Sequence, residues 1–387
     1  MKKIKVMTVF GTRPEAIKMA PLVHELESRD ELQSVVCVTA QHRQMLDQVL
    51  ELFNIKPDYD LDIMKERQSL VGITARVLEG LDAVMKKEQP NIVLVHGDTS
   101  TTFAGSLAAF YNNAMVGHVE AGLRTFDKWS PFPEEMNRRL TGVLSDLHFS
   151  PTVRNRENLL REGVSADNIF ITGNTVIDAL NTTVRDSHKY KNSELPEIFK
   201  NGRRIILMTA HRRENLGEPL YNITRAVRRI VEEFPDIEVI YPVHLNPAVS
   251  EVADEVLGNH SRIHLIKPLE AGDMHNAMAQ AHLIMTDSGG LQEEAPSLGK
   301  PVLVLRRETE RPEAVEAGTV RLAGVDGETI YTMAKSLLTN KEEYDKMAKA
   351  INPYGDGQAS KRIVDAIIYK FGKGSRPEDF NCMKKEK

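Results

Sequence analysis

Short apolar runs bounded by glycine, proline or polar residues alternate with amphipathic segments of helical period, and the alternation runs through this sequence twice. Buried strands separated by helices in that order close as parallel sheets with helices over their faces, because parallel neighbours need a long crossover. Ile4–Phe10, Ser34–Thr39, Asn91–His96 and Ala114–Val119 read as strands, with helices over Glu15–Ser28, Met45–Phe53, Ser69–Lys87 and Thr101–Asn112. A helix over Glu134–Ser145, a strand at Leu147–Phe149, a helix near Thr152–Glu162 and a strand at Ile169–Ile171 complete a first half. The polar stretch Ser187–Gly202 reads as a linker, after which Arg204–Glu214 loosely echoes Lys5–Glu15 in an apolar strand followed by basic and acidic residues. Strands at Ile237–Val243, Ile263–Ile266, Leu283–Thr286 and Pro301–Leu305 follow, with a last helix from Ala359 to Phe371. The expectation is an α/β protein of two similar domains with a cleft between them: residues 1–172, a connecting region 173–203, a nucleotide-binding domain 204–358, and a final helix 359–372.

A chain of 387 residues exceeds one ordinary core, which agrees with two domains. At 41% hydrophobic and 27% charged it carries no apolar run long enough to span a bilayer, and its charged start runs into a strand without a signal-peptide core, so a cytoplasmic location is expected. Cys37 and Cys382 are the only cysteines, which excludes a disulfide framework or a thiolate metal site. A net charge of −5 argues against a general nucleic-acid binder.

Thr286–Leu305 is the most informative stretch. A strand ends at Thr286, Asp287-Ser-Gly-Gly290 turns, and Leu291–Ser297 reads as a helix. Glycines admit a ligand close to the backbone, and free N–H groups at a helix start favour an anion such as phosphate. Ser288 adds a hydroxyl, and Glu293 and Glu294, one turn on, suit ribose hydroxyls. A capped turn without a ligand would use the same residues, but the charged loop Arg306–Pro312 after the next strand lies where open α/β sheets bind ligands. In the first half, Gly11-Thr-Arg-Pro-Glu15 follows strand one, placing Arg13 and Lys18 near a helix start, where they fit either a solvated surface or a diphosphate. No G-x-G-x-x-G follows a strand, which counts against a tightly held dinucleotide.

Asp98, in His96-Gly-Asp-Thr99, and Glu120, in His118-Val-Glu-Ala-Gly-Leu-Arg124, end neighbouring strands, and Glu134 opens a helix. Each suits a cap or an ion pair, but three at one sheet edge are expected to raise one another's pKa and serve as acid/base groups near neutral pH. His211, followed by Arg212 and Arg213, holds the equivalent position in the second half and suits acid/base work or phosphate contact. His42, His244, His260 and His264 lack metal-ligand spacing, so no metal is expected.

Taken together, Gly11-Thr-Arg-Pro-Glu-Ala16, His96-Gly-Asp-Thr99, Gly117–Thr125, Pro133-Glu-Glu-Met-Asn-Arg138, Thr172-Gly-Asn174, Ala210–Asn215, Asp287–Gly290, Gln292–Pro296 and Thr309–Glu313 resemble the bacterial non-hydrolysing UDP-N-acetylglucosamine 2-epimerases, in consistent order from about residue 4 to 370. The resemblance implies a glycosyltransferase-B-like pair of Rossmann-like domains, usually a homodimer, with the C-terminal helix crossing back to the first domain. It implies interconversion of UDP-N-acetylglucosamine and UDP-N-acetylmannosamine for surface polysaccharide or teichoic-acid synthesis, without a cofactor and without nucleic-acid or membrane partners. Carried over, the catalytic positions are Asp98, Glu120, Glu134 and His211. Substrate contacts fall on Arg13, Lys18, Arg212, Ser288, Gly289, Gly290, Glu294 and Arg311, with uracil near Leu269 and Met274. Ala40–Met45 and Lys65–Gln68 resemble members that take a second UDP-N-acetylglucosamine as activator, which places Gln41, Gln44, Arg67 and His244 at an allosteric site. The alternatives are a glycosyltransferase or a hydrolysing epimerase on the same scaffold, and a sensor that only binds the nucleotide sugar.

Overall fold

The structure, a computed structural model, describes residues 3–40, 43–65 and 68–381. It divides into two compact units, residues 1–182 with 354–387, and residues 183–353. In the first, β1 (Ile4–Phe10), α1 (Arg13–Glu27), β2 (Leu32–Val38), α2 (Arg43–Leu52), β3 (Tyr59–Asp60), α3 (Leu70–Glu88), β4 (Ile92–His96), α4 (Ser100–Tyr111), β5 (Met115–Val119), α5 (Glu134–Leu144), β6 (Leu147–Ser150), α6 (Val153–Arg161), β7 (Ile169–Ile171) and α7 (Thr175–Thr183) follow in turn. The second holds α8 (Glu194–Lys200), β8 (Arg204–Thr209), α9 (Glu218–Glu233), β9 (Ile237–Pro242), α10 (Pro247–Leu257), β10 (Ile263–Ile266), α11 (Ala271–Gln280), β11 (Leu283–Thr286), α12 (Gly289–Glu294), β12 (Val302–Val304), α13 (Pro312–Glu316), β13 (Val320–Leu322), α14 (Gly327–Thr339) and α15 (Lys341–Ala348). The last helix, α16 (Ala359–Lys370), belongs to the first unit.

Among the described residues the first sheet runs β3-β2-β1-β4-β5-β6-β7 and the second β10-β9-β8-β11-β12-β13, and every pairing is parallel. The strands read as near-continuous apolar runs because helices cover both faces. On one face of the first sheet Met19, Leu22 and Leu26 of α1 pack with Ile363, Val364 and Ile367 of α16, and on the other Val77 and Leu81 of α3 pack with Ala104 and Ala108 of α4. Asp178 of α7 fastens the start of α16, its carboxylate accepting from the backbone N–H groups of Ala359 (3.2 Å) and Ser360 (2.7 Å). In the second unit Ile223, Val227 and Ile230 of α9 and Ile330, Ala334 and Leu337 of α14 pack against the sheet.

Two features differ from the sequence reading. Strands β3 (Tyr59-Asp60) and β13 (Val320-Arg321-Leu322) were not anticipated, because a charged residue in each breaks the apolar run that would mark it. The stretch 173–203 contains α7 and α8, since Leu195 and Ile198 give its polar sequence an apolar side that is buried. Cys37 is fully buried in β2, where burial, with Asp60 and Asp58 nearby, pushes its thiol up to about 12, and Cys382 lies outside the described residues.

In each sheet the strand order reverses beside the first strand of its unit, between β1 and β4 and between β8 and β11. At such a point successive connections leave in opposite directions and open a crevice at the carboxyl ends of the strands. The loops after β1, β4 and β5, and those after β8 and β11, with the helix starts they lead into, carry Arg13, Asp98, Glu120, Glu134, His211, Arg212 and Ser288.

Candidate active site

In the first unit the site begins with a turn that only glycine fits. A Cβ on Gly11 would lie 1.9 Å from the Thr39 hydroxyl, so the chain leaves β1 closely packed and enters α1 at Thr12 with Pro14 in the first turn. Glu15 is buried and closes this turn, accepting from the N–H groups of Gly11 (3.1 Å) and Thr12 (2.8 Å) and from the Thr99 hydroxyl (2.7 Å) at the start of α4. Arg13 is half-buried and has no hydrogen-bond or ion-pair partner among the described residues.

Glu120 follows β5 in the left-handed region at φ 63°, a conformation costing a non-glycine residue on the order of 1–3 kcal/mol, which persists only where surroundings enforce it. Those surroundings are an ion pair with Lys18 of α1, the ring Nε2 of His96 at 3.1 Å, and the Asn174 side-chain amide donating at 3.2 Å. Burial by itself would raise the Glu120 pKa, but Lys18 and His96 outweigh it and hold the carboxyl well below the usual carboxylate range. The expectation that the carboxylates raise one another is therefore overturned at Glu120, since its near neighbours are a cation and an imidazole rather than other acids.

Asp98 pairs with Arg138 of α5, and its backbone carbonyl accepts from Asn137 (2.9 Å). The turn before it is fixed by His118, whose Nε2 meets the Gly97 carbonyl at 2.7 Å, and burial depresses the His118 pKa to about 3, so this ring is a neutral strut at physiological pH. Glu134 opens α5 half-buried, with no hydrogen bond or ion pair to Asp98 or Glu120. Its neighbour Glu135 is fully buried and accepts from the N–H groups of Thr125 and Phe126, both at 3.1 Å, fixing the loop that carries the chain from β5 to α5.

In the second unit the organising group is Asp287, fully buried at the end of β11. One of its oxygens accepts from the backbone N–H groups of His211 (2.8 Å) and Arg212 (2.7 Å) and from the Asn215 amide (3.1 Å). The other lies 3.5 Å from His211 Nδ1. The His211 pKa is lowered: burial is the largest cause, and His244 and Arg212 add to it against the opposing pull of Asp287. His244 is exposed and stacks on His211 with ring centres 5.4 Å apart and planes 6° from parallel.

A Cβ at Gly289 would lie 3.9 Å from guanidinium nitrogens of both Arg212 and Arg311, so the Ser288-Gly289-Gly290 turn is bracketed by two cations with no side chain between. Such forks suit phosphate oxygens. The two acids expected to face ribose divide: Glu293 is buried and pairs with Arg311, while half-buried Glu294 lies 3.5 Å from His275 Nε2. Leu269 is buried ahead of α11 and Met274 is half-buried on it, and His275 ties α11 to α12. Among the allosteric candidates, Gln41 and Arg67 lie outside the described residues, as does the side chain of Gln44. No cluster of three metal-ligating side chains occurs among the described residues.

The sequence reading gave no role to His96, Asn174 or Asp287, although all three stand in the motifs it quoted. The available signal was position, since each ends a parallel strand or stands in the turn just after one.

A sequence model described as UDP-N-acetylglucosamine 2-epimerase matches residues 24–368. The chain belongs to this family. It is 63% identical over 381 residues to the UDP-N-acetylglucosamine 2-epimerase of Bacillus subtilis (strain 168), covering 98% of this chain and 99% of that protein. The S. aureus MnaA–UDP co-structure superposes with a TM-score of 0.86 at 53% identity, covering 98% of this chain and all of that one. UDP-GlcNAc 2-epimerase from Neisseria meningitidis, solved bound to UDP-GlcNAc, gives 0.84 at 50% identity, covering 95% of this chain and all of that one. The two parallel-sheet α/β units thus have the glycosyltransferase-B-like architecture of the epimerase family.

The environment of His211 gives a direct expectation. Its folded pKa is depressed, so the ring is neutral at pH 7, and its contribution to stability is intact above 6.5 and lost as the pH falls from there through the folded value. NMR titration of the His211 ring in the ligand-free protein is expected to give a midpoint below 6.5; a midpoint at or above 6.5 contradicts the assignment.

Proposed function

We propose that this chain interconverts UDP-N-acetylglucosamine and UDP-N-acetylmannosamine without hydrolysis, by eliminating and re-adding UDP. The observation that carries the reading is the complementary chemistry of the two crevices. One holds Asp98, Glu120 and Glu134 as proton-transfer groups, and the other holds a glycine turn bracketed by Arg212 and Arg311 beside a neutral His211. Neither a glycosyltransferase acting on its donor nor a sensor that only binds phosphates needs such a set of acids.

The C2 hydrogen of the sugar is weakly acidic, so deprotonation alone faces a high barrier. In the elimination the C2–H pair of electrons forms the C1=C2 double bond as the C1–O bond breaks and its pair leaves with UDP, giving a glycal. UDP oxygen then re-forms the bond to C1 while a proton is delivered to the opposite face of C2. Two faces require at least two acid/base groups. Asp98 and Glu120 fill these roles, with Glu134 supporting. Arg13, Lys18, Arg212, Arg311 and the Ser288–Gly290 turn meet the charge that grows on departing UDP, preorganised electrostatics of the kind that contributes several kcal/mol. Leu269 and Met274 serve uracil, Glu294 the ribose, and His211, oriented by Asp287, donates to UDP.

A second UDP-N-acetylglucosamine at Gln41, Gln44, Arg67 and His244 is favoured by the His244–His211 stack, through which an occupant at His244 is felt at His211. A homodimer is favoured by α4 and α5, which pack together and leave Phe110, Tyr111 and Val143 exposed. Light scattering is expected to give twice the chain mass, and a monomer at working concentration contradicts it.

Proton NMR of the protein with UDP-N-acetylglucosamine and no acceptor tests the main reading. UDP-N-acetylmannosamine is expected, with a sigmoidal dependence of rate on substrate. Asp98→Asn and Glu120→Gln should each lower kcat by about 10²-fold or more with UDP binding retained. Free N-acetylmannosamine as the product overturns the non-hydrolytic reading, and a hyperbolic rate curve removes the activator.

A further inference from the structure

Glu120 takes its third contact from Asn174, and Asn174 is held by a part of the chain far away in sequence. The Thr172-Gly173-Asn174 turn follows the edge strand β7. Asn174 is buried, its N–H donates to the Tyr354 carbonyl at 2.6 Å, and its side-chain amide reaches Glu120 at 3.2 Å. Gly173 adopts φ 81°, and a Cβ there would lie 3.1 Å from the Gly355 Cα, so the 354–355 backbone presses directly on the turn.

Beyond α16 the chain returns along β7. Asp379 accepts from the Ile171 N–H (2.9 Å), and the Phe380 N–H donates to the Ile171 carbonyl (2.7 Å). Arg376 donates to the carbonyls of Asp167 (3.1 Å) and Ile169 (2.8 Å) and lies 4.3 Å from the Phe170 ring centre. Phe380 is buried beside Gly173, and Arg362, 5.4 Å from its ring centre, donates to the Thr172 carbonyl (3.1 Å). The segment therefore covers the open edge of β7 with one backbone–backbone hydrogen bond and with the side chains of Asp379 and Arg376, and fixes the residues just before Asn174.

We propose that Asn174 is a positioning residue for Glu120 and that the C-terminal segment 376–380 acts through it, by clamping the Thr172–Asn174 turn from which its amide reaches the carboxylate. This rests on the reading of Glu120 as an acid/base group. Lys18 and His96 neutralise and approach Glu120 from α1 and β4, but neither restrains it from the β7 side. A proton-transfer group displaced by a fraction of an ångström loses rate far more than substrate affinity, because proton transfer depends more steeply on position than ground-state contacts do.

A double-mutant cycle on the full chain with UDP-N-acetylglucosamine tests this. Asn174→Ala and the clamp variant Arg376→Ala/Phe380→Ala should each lower kcat about 10-fold with KM within about twofold of the starting protein. The combined triple variant should be no slower than Asn174→Ala alone, because the clamp has no other route to the chemistry. Asp379→Ala, which removes a single acceptor, supplies the same comparison should the clamp variant not fold. Full kcat in Asn174→Ala or in the clamp variants overturns the proposal, as do losses that multiply in the triple variant. Glu120→Gln measured alongside separates the two claims: full kcat there removes the role of Glu120 itself, whereas its loss beside unimpaired Asn174→Ala removes only the positioning role.

Discussion

The Glu120 carboxylate is the point on which the chemistry proposed for the first unit depends. It is mostly buried, in a left-handed backbone conformation, with Lys18, His96 and Asn174 converging on it from three different elements. Burying an anion costs several kcal/mol unless it is paired and hydrogen-bonded. Each partner in turn needs its own support: Lys18 depends on the Gly11 turn that starts α1, His96 on the end of β4, and Asn174 on the turn beyond β7. In the proposed role of proton acceptor, a carboxylate held this firmly is orientated before a substrate arrives, and its low pKa keeps it ionised across the neutral range. The low pKa also makes it a weak base, so the rate must come from placement and from stabilising the leaving group.

The second unit solves the complementary problem with the signs exchanged. A fully buried Asp287 gathers the backbone of His211 and Arg212, and that backbone delivers the Arg212 guanidinium to the glycine turn at Ser288–Gly290. The negative charge of Asp287 is buried and the Arg212 and Arg311 guanidinium groups flank the turn, which suits the proposed diphosphate site. Both units fix a loop after a parallel strand with a buried acid that gathers backbone N–H groups: Glu15 in the first turn of α1 and Asp287 directly after β11.

Sequence periodicity made the parallel sheets legible because strands buried on both faces are almost wholly apolar, as Ile92–Val95 and Leu283–Met285 are. It could not mark β3 or β13, where a charged residue breaks the apolar run, nor α8 within 173–203, whose exposed side is charged. For the site, motif position placed Asp98, Glu120, His211 and the Ser288–Gly290 turn at strand ends, where they stand. What it could not give was who pairs with whom. Glu120 was expected among acids and stands between Lys18 and His96, and Glu293, read as facing a ribose, is committed to Arg311. Those pairings span about 100 residues or join neighbouring elements through side-chain geometry, and no local pattern encodes them.

The account stands on a proton leaving C2 to groups of this protein as UDP departs. Running the epimerisation of UDP-N-acetylglucosamine in D2O and reading C2 of the product by proton NMR tests it most directly. Solvent deuterium at C2 of the UDP-N-acetylmannosamine is the predicted result, and a product that keeps its original C2 hydrogen would contradict it.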